Sequence, residues 1–154
     1  MKKIIPNLQA QDAKIAVIVS RFNESVTTRL VDGATEELIK LGVGNENITV
    51  AWVPGAHEIP VAAKAFAKQG IDAIVAVGCV VRGETAHFDY VAGECCRGLT
   101  NVSLEFQIPV ANGVLTVENA QQAYARCGGE KGNKGAEAAQ AAIETMNLLR
   151  QISN

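Results

Sequence analysis

Three short segments gather most of the residues able to do chemistry in this 154-residue chain: Ser20-Arg21-Phe22-Asn23, Pro54-Gly55-Ala56-His57-Glu58 and Arg82-Gly83-Glu84-Thr85-Ala86-His87. The chain has two histidines, and both fall in these segments. Imidazoles move protons near neutral pH. Phe22 offers a flat apolar face to a planar ring. A glycine-containing turn that opens a helix presents free N–H groups to a small anion such as phosphate. Each signal has an ordinary alternative. Phe22 packs as readily as it stacks, and a lone histidine is often structural. The third segment also reads as a plain strand-to-helix turn capped by Thr85. For His87, in the first turn of a helix, the dipole disfavours the cation, and a neutral imidazole there can transfer protons.

Several familiar chemistries are excluded by a single residue. Gly78-Cys79-Val80-Val81-Arg82-Gly83-Glu84-Thr85 departs from the nucleotide-binding pattern G-x-x-x-x-G-K-[ST] at Glu84. A carboxylate there repels phosphates that the lysine would bind. Val80 and Val81 also read as strand, not as an exposed phosphate cradle. His57-Glu58 opens H-E-x-x-H, but Val61 stands where the second zinc ligand belongs. Gly128-Gly129-Glu130-Lys131-Gly132 follows a helix rather than a strand, so it is no dinucleotide fingerprint, and Glu130-Lys131 reads as a solvated turn. The four cysteines, Cys79, Cys95, Cys96 and Cys127, form no C-x-x-C. They read as reduced apolar side chains, with no metal site. Arg126 by itself is an ordinary solvated residue at a helix end.

The elements that must position these loops are legible in the hydrophobic pattern. Apolar runs at Lys14–Ser20, Ile48–Val53, Ala73–Val81 and Ile108–Val117 predict strands of a parallel sheet covered on both faces. Helical spacing predicts helices over Glu24–Leu41 (Leu30, Ala34, Leu38 and Leu41 on one face), Glu58–Gln69, Ala86–Phe106 (Val91, Cys95, Leu99, Phe106), Glu118–Cys127 and Lys134–Ile152 (Ala139, Ile143, Met146). Asn23 is the expected cap of the first, and Gly42 and Gly70 the expected stops of the first two. Pro60 suits a first turn. Alternating strands and helices predict one domain over residues 1–154: a three-layer α/β fold with a flavodoxin-like arrangement and a four-stranded parallel sheet. Ligands then bind beyond the carboxyl ends of the strands, where the three segments lie. Ile4, Ile5 and Leu8 around Pro6 suit an edge strand added to a neighbouring subunit.

The formal net charge of −2, with no basic stripe, argues against nucleic acid or an anionic membrane as partner. No apolar run approaches the roughly 20 residues needed to span a bilayer, and no signal-peptide pattern follows Lys2 and Lys3. A cytoplasmic, soluble protein is expected.

Five segments together carry a family resemblance: Ala16 to Asn23, Trp52 to Pro60, Gly78 to Val91, Ile108 to Thr116, and Gly132-Asn133-Lys134-Gly135. In this order, across about residues 12 to 150, the chain resembles the lumazine synthases. The resemblance implies condensation of 5-amino-6-ribitylaminouracil with 3,4-dihydroxy-2-butanone 4-phosphate to 6,7-dimethyl-8-ribityllumazine, without metal or redox cofactor. By matching position it implies that Phe22 stacks on the pyrimidine. Ala56, His57 and Glu58 hold the ribityl chain and ring edge, and Cys79, Val80 and Val81 line the ring pocket. Glu84 and Thr85 take the phosphate with Arg126, His87 transfers protons, and Lys134 lies near the reacting group. His57 and Asn112 depart from the family, which often has aromatics there. In the family the residues matching Asn112 and Arg126 serve the adjacent subunit. A homo-oligomer is implied: a ring of five, extended to a shell of sixty by the short turn before the last helix, with riboflavin synthase as an associated protein. A flavin carrier of this fold would share Phe22 but not need His87 or Arg126. A purely structural shell protein is a third reading.

Overall fold

The strands form where β-branched residues are too dense to face water. The computed structural model describes Met1–Asn154. In chain order its elements are β1 (Ile15–Ser20), α1 (Glu24–Lys40), β2 (Ile48–Val53), α2 (Ile59–Lys68), β3 (Ala73–Val81), α3 (His87–Phe106), β4 (Val110–Val117), α4 (Ala120–Ala125), β5 (Cys127–Gly129), β6 (Gly132–Asn133) and α5 (Lys134–Ser153). The main sheet runs β2-β1-β3-β4, all parallel, with helices on both faces. This is the flavodoxin-like three-layer α/β arrangement.

Alternation along the central strands divides the core. Ile15, Val17 and Val19 of β1, with Val75, Val77 and Cys79 of β3, pack towards α1 and α5. Ala16 and Ile18, with Ile74 and Ala76, pack towards α2 and α3. The side chains alternate because successive Cβ atoms leave opposite faces of a strand. At one point α1 and α5 meet without room for a side chain. A Cβ on Gly135 would strike the Leu30 carbonyl, and one on Gly33 would strike the Asn133 carboxamide. Pro60 lies in the first turn of α2, and Gly42 and Gly70 take positive φ just past the ends of α1 and α2, as expected.

Four local expectations need correction. Asn23 does not cap α1 through its side chain. Its backbone is left-handed (φ 62°) and its carboxamide donates to the Cys79 carbonyl at 2.8 Å. The main-chain oxygen of Asn23 accepts from Val26 and Thr27 instead. β4 starts at Val110 rather than Ile108, since Pro109 has no N–H and joins the ladder only through its carbonyl, to Ile74 N. α4 is confined to Ala120–Ala125, because Asn119 accepts the Gln122 N–H and sets the helix start there. The glycine-rich turn after α4 is a two-stranded antiparallel hairpin, β5–β6, with Glu130 and Lys131 exposed at its tip.

The N-terminal residues form no strand within the chain. Asn147 holds their last part, donating to Asn7 O at 2.7 Å and Gln9 O at 2.9 Å, while Ile5 stays 80% exposed. No helix is long and apolar enough to cross a membrane.

Candidate active site

The right-handed crossovers bring the loops after β1, β2 and β3 to the same end of the sheet, where they enclose a cavity of about 550 Å³. Phe22, Ala56, His57, Glu58, Cys79, Val80 and His87 line it, so seven of the residues singled out in sequence converge. The convergence follows from backbone pairing. Arg21 N donates to Val53 O and Phe22 N to Pro54 O, which staples the first loop to the second. Asn23 then ties the same loop to β3 through Cys79 O. Phe22 is 71% exposed, a large aromatic held by its backbone with its ring uncovered. That ring belongs to neither half of the core.

Five further lining residues were not singled out as site residues: Pro54, Gly55, Tyr90, Val91 and Glu94. His87, Tyr90, Val91 and Glu94 stand at i, i+3, i+4 and i+7 of α3 and so share one helical face. That spacing was the available signal. Glu94 meets Arg97 at 3.6 Å with both side chains exposed, a pairing of little energetic weight.

The Gly83 to Ala86 segment precedes α3, and all four of its N–H groups are without a partner in the chain. Thr85 does act on the turn: its hydroxyl accepts the His87 N–H at 3.3 Å. Glu84 and Thr85 are exposed. The turn hangs on Arg82, which meets Asp89 at 3.3 Å and Glu118 at 3.1 Å and lies 4.4 Å from the centre of the Phe88 ring. The hydrogen bond to Glu118 pushes the Arg82 guanidinium further above its ordinary range; desolvation opposes it, and the charges of Asp89 and Glu118 add to the rise. Its partners lie up to 36 residues away in sequence, which is why spacing alone does not reveal it.

The remaining residues lie elsewhere in a single chain. Val81 turns away from the cavity and packs on the core beneath α1 and α5. Arg126 and Lys134 share a second groove of about 350 Å³ with Lys131 and Glu137. Arg126 ends α4, and its guanidinium donates to Gln122 O at 3.0 Å. Asn112 is exposed on β4, lining a third groove with Cys96 and Thr116. Its side chain accepts the Val114 N–H at 2.9 Å.

All four cysteines are free. Burial pushes the Cys79 thiol up to about 11, with a smaller contribution from Cys127. Cys95 rises likewise to about 11, chiefly through burial. Thiols held protonated this way are poor nucleophiles, so Cys79 serves the cavity as an apolar wall. No three His, Cys, Asp or Glu side chains cluster closely enough to hold a metal ion.

A family model for 6,7-dimethyl-8-ribityllumazine synthase matches residues 12–150. The chain belongs to that family. The match spans every element of the fold except the last residues of α5, and all thirteen of the site residues singled out in sequence, from Phe22 to Lys134. Membership in the lumazine synthase family implies riboflavin biosynthesis and transferase-type chemistry.

Proposed function

We propose that this protein condenses 5-amino-6-ribitylaminouracil with 3,4-dihydroxy-2-butanone 4-phosphate, giving 6,7-dimethyl-8-ribityllumazine, phosphate and water. The observation that carries the reading is the cavity that holds the Phe22 ring and His87 beside four unpaired amides, in a chain of this family. Phe22 takes the face of the pyrimidine, and Ala56, His57 and Glu58 take its edge and the ribityl chain. Cys79 and Val80 form the apolar wall. The amides of Gly83 to Ala86 suit the phosphate, because uncompensated N–H groups at a helix start favour an anion.

The substrate amine attacks the ketone and water leaves to give an imine. Phosphate then departs, the enol left behind becomes a ketone, and the second amine adds to that carbonyl and closes the ring with loss of a second water. His87 exchanges protons during these steps. Holding two substrates in one cavity supplies much of the rate, since well-oriented reactions gain effective molarities of about 10⁵ M and above.

Arg126, Lys134 and Asn112 do not line this cavity within one chain. The proposal therefore includes a ring of five in which each subunit lends its basic groove to the next subunit's cavity. The short β5–β6 hairpin lets such rings close into a shell of sixty, with riboflavin synthase as an associated protein. The test is direct. Purified protein given both substrates should release lumazine fluorescence and one phosphate per product. A dialysed sample that keeps a yellow flavin and forms no lumazine would assign the cavity to a flavin carrier instead.

A further inference from the structure

Asn133 lines none of the grooves described above, yet it joins three parts of the structure. Its Oδ1 accepts the Ala136 N–H at 3.1 Å and caps α5. Its Nδ2 donates to the Arg29 carbonyl of α1 at 3.1 Å. Gly33, one turn further along α1, leaves the space that the carboxamide fills. The groups on either side of this anchor are cationic. Lys134 is the next residue, and its N–H donates to the Arg126 carbonyl at 2.9 Å. Both cations then line one groove, and neither has a carboxylate within ion-pair distance. On the far side, the Arg29 guanidinium lies 5.2 Å from the centre of the Tyr124 ring, on the helix that ends at Arg126.

We propose that Asn133 is the positioning residue that sets Arg126 and Lys134 for the substrate phosphate, an assignment that rests on the functional reading above. The position needs a donor and an acceptor on one short side chain, and asparagine supplies both. Aspartate would keep the cap but turn an oxygen towards the Arg29 carbonyl. Alanine would release both helices. Arg and Lys side chains lose entropy when ordered on a ligand. Fixing their backbones beforehand reduces what remains to be ordered.

The test compares Asn133→Ala, Asn133→Asp and Gly33→Ala, the last placing a methyl where the carboxamide lies. Amide hydrogen exchange should quicken at Lys134 in all three, with β1 and β3 amides unchanged. At Ala136 it should quicken in Asn133→Ala but stay slow in Asn133→Asp. In steady-state assays of Asn133→Ala, the KM for the phosphorylated ketone and the inhibition constant of inorganic phosphate should rise about 10-fold, the effect of roughly one lost hydrogen bond. The pyrimidine KM should hold within about twofold. Unchanged exchange at Lys134, or equal rises in both KM values, would overturn the proposal. If Asn133→Ala does not fold, Gly33→Ala decides by the same readouts. Wild-type protein that makes no lumazine would instead remove the functional reading, while Lys134 exchange still decides whether Asn133 holds that backbone.

Discussion

Replacing Arg126 with alanine should weaken use of the phosphorylated ketone and spare the pyrimidine. The guanidinium is held in place by one bond, from Nη1 to Gln122 O at 3.0 Å, which leaves its other donors free. No carboxylate lies within ion-pair distance of it, and Glu137 is the one acidic residue among Arg126, Lys131 and Lys134 in the groove. A hydrogen bond from such a cation to phosphate contributes about 1.5–3 kcal/mol, or roughly 10- to 100-fold in affinity. Lys131 and Lys134 line the same groove and remain in the variant, so the lower half of that range is expected. Arg126→Lys should recover part of the loss, since it restores charge but not the fork of donors. Loss of the bond to Gln122 costs stability as well, about 1 kcal/mol, so each variant is to be assayed well below its Tm. The assay is initial-rate fluorescence with each substrate varied in turn. A rise in both KM values by the same factor, or in neither, would refute the placement of Arg126 at the phosphate.

Other outcomes follow from the same geometry. His87→Ala should slow turnover towards the low end of the roughly 10²- to 10⁴-fold typical of acid–base groups; unaltered turnover in the variant would remove His87 from proton transfer. Cys79 and Cys95 titrate at about 11 in the folded chain against an ordinary 9.0. The unfolded chain therefore loses these protons first as pH rises, and their stabilising contribution, full below pH 9, should decline between about pH 9 and 11. Denaturant midpoints should show that decline, and Cys79→Ala should lessen it, leaving the part due to Cys95. In sedimentation, five 16.2 kDa chains make about 81 kDa and sixty about 970 kDa; the larger particle supports the shell, and an active 16 kDa species would contradict both assemblies.

Order and type of the main elements were legible because the central strands of the sheet are buried on both faces. β1 and β3 are continuous apolar runs, and α1 and α3 carry clean helical stripes. The parts that were not legible depend on distant partners or on main-chain geometry. Asn23 looks like a cap, but its carboxamide finds a better acceptor on β3, 56 residues away. Pro109 trims β4 by removing a donor. The β5–β6 hairpin has neither length nor alternation to signal strands, and it is held by backbone bonds such as Lys131 N to Ala125 O. In the site, Phe22, His57 and His87 stand out by residue type. Arg82 and Asn133 do not, since their roles exist only once the chain has folded around them. Tyr90 and Glu94 lie between these cases, readable as the continuation of the His87 face.

If a neighbouring subunit completes the reaction cavity, two impaired variants should rescue each other when mixed. Subunits carrying Phe22→Ala with His87→Ala lack one half of the site, and Arg126→Ala subunits lack the other. Unfolded together in equal amounts and refolded, they should form mixed rings in which about a quarter of the cavities regain both intact halves, because a closed ring repeats the same head-to-tail contact. Assayed with the ketone held well below its wild-type KM, where Arg126→Ala rings should work at roughly a tenth of the wild-type rate or less, activity near one quarter of wild type, above either parent, is the predicted result. Activity no greater than the mean of the two parents would place the whole site within one chain and contradict the account.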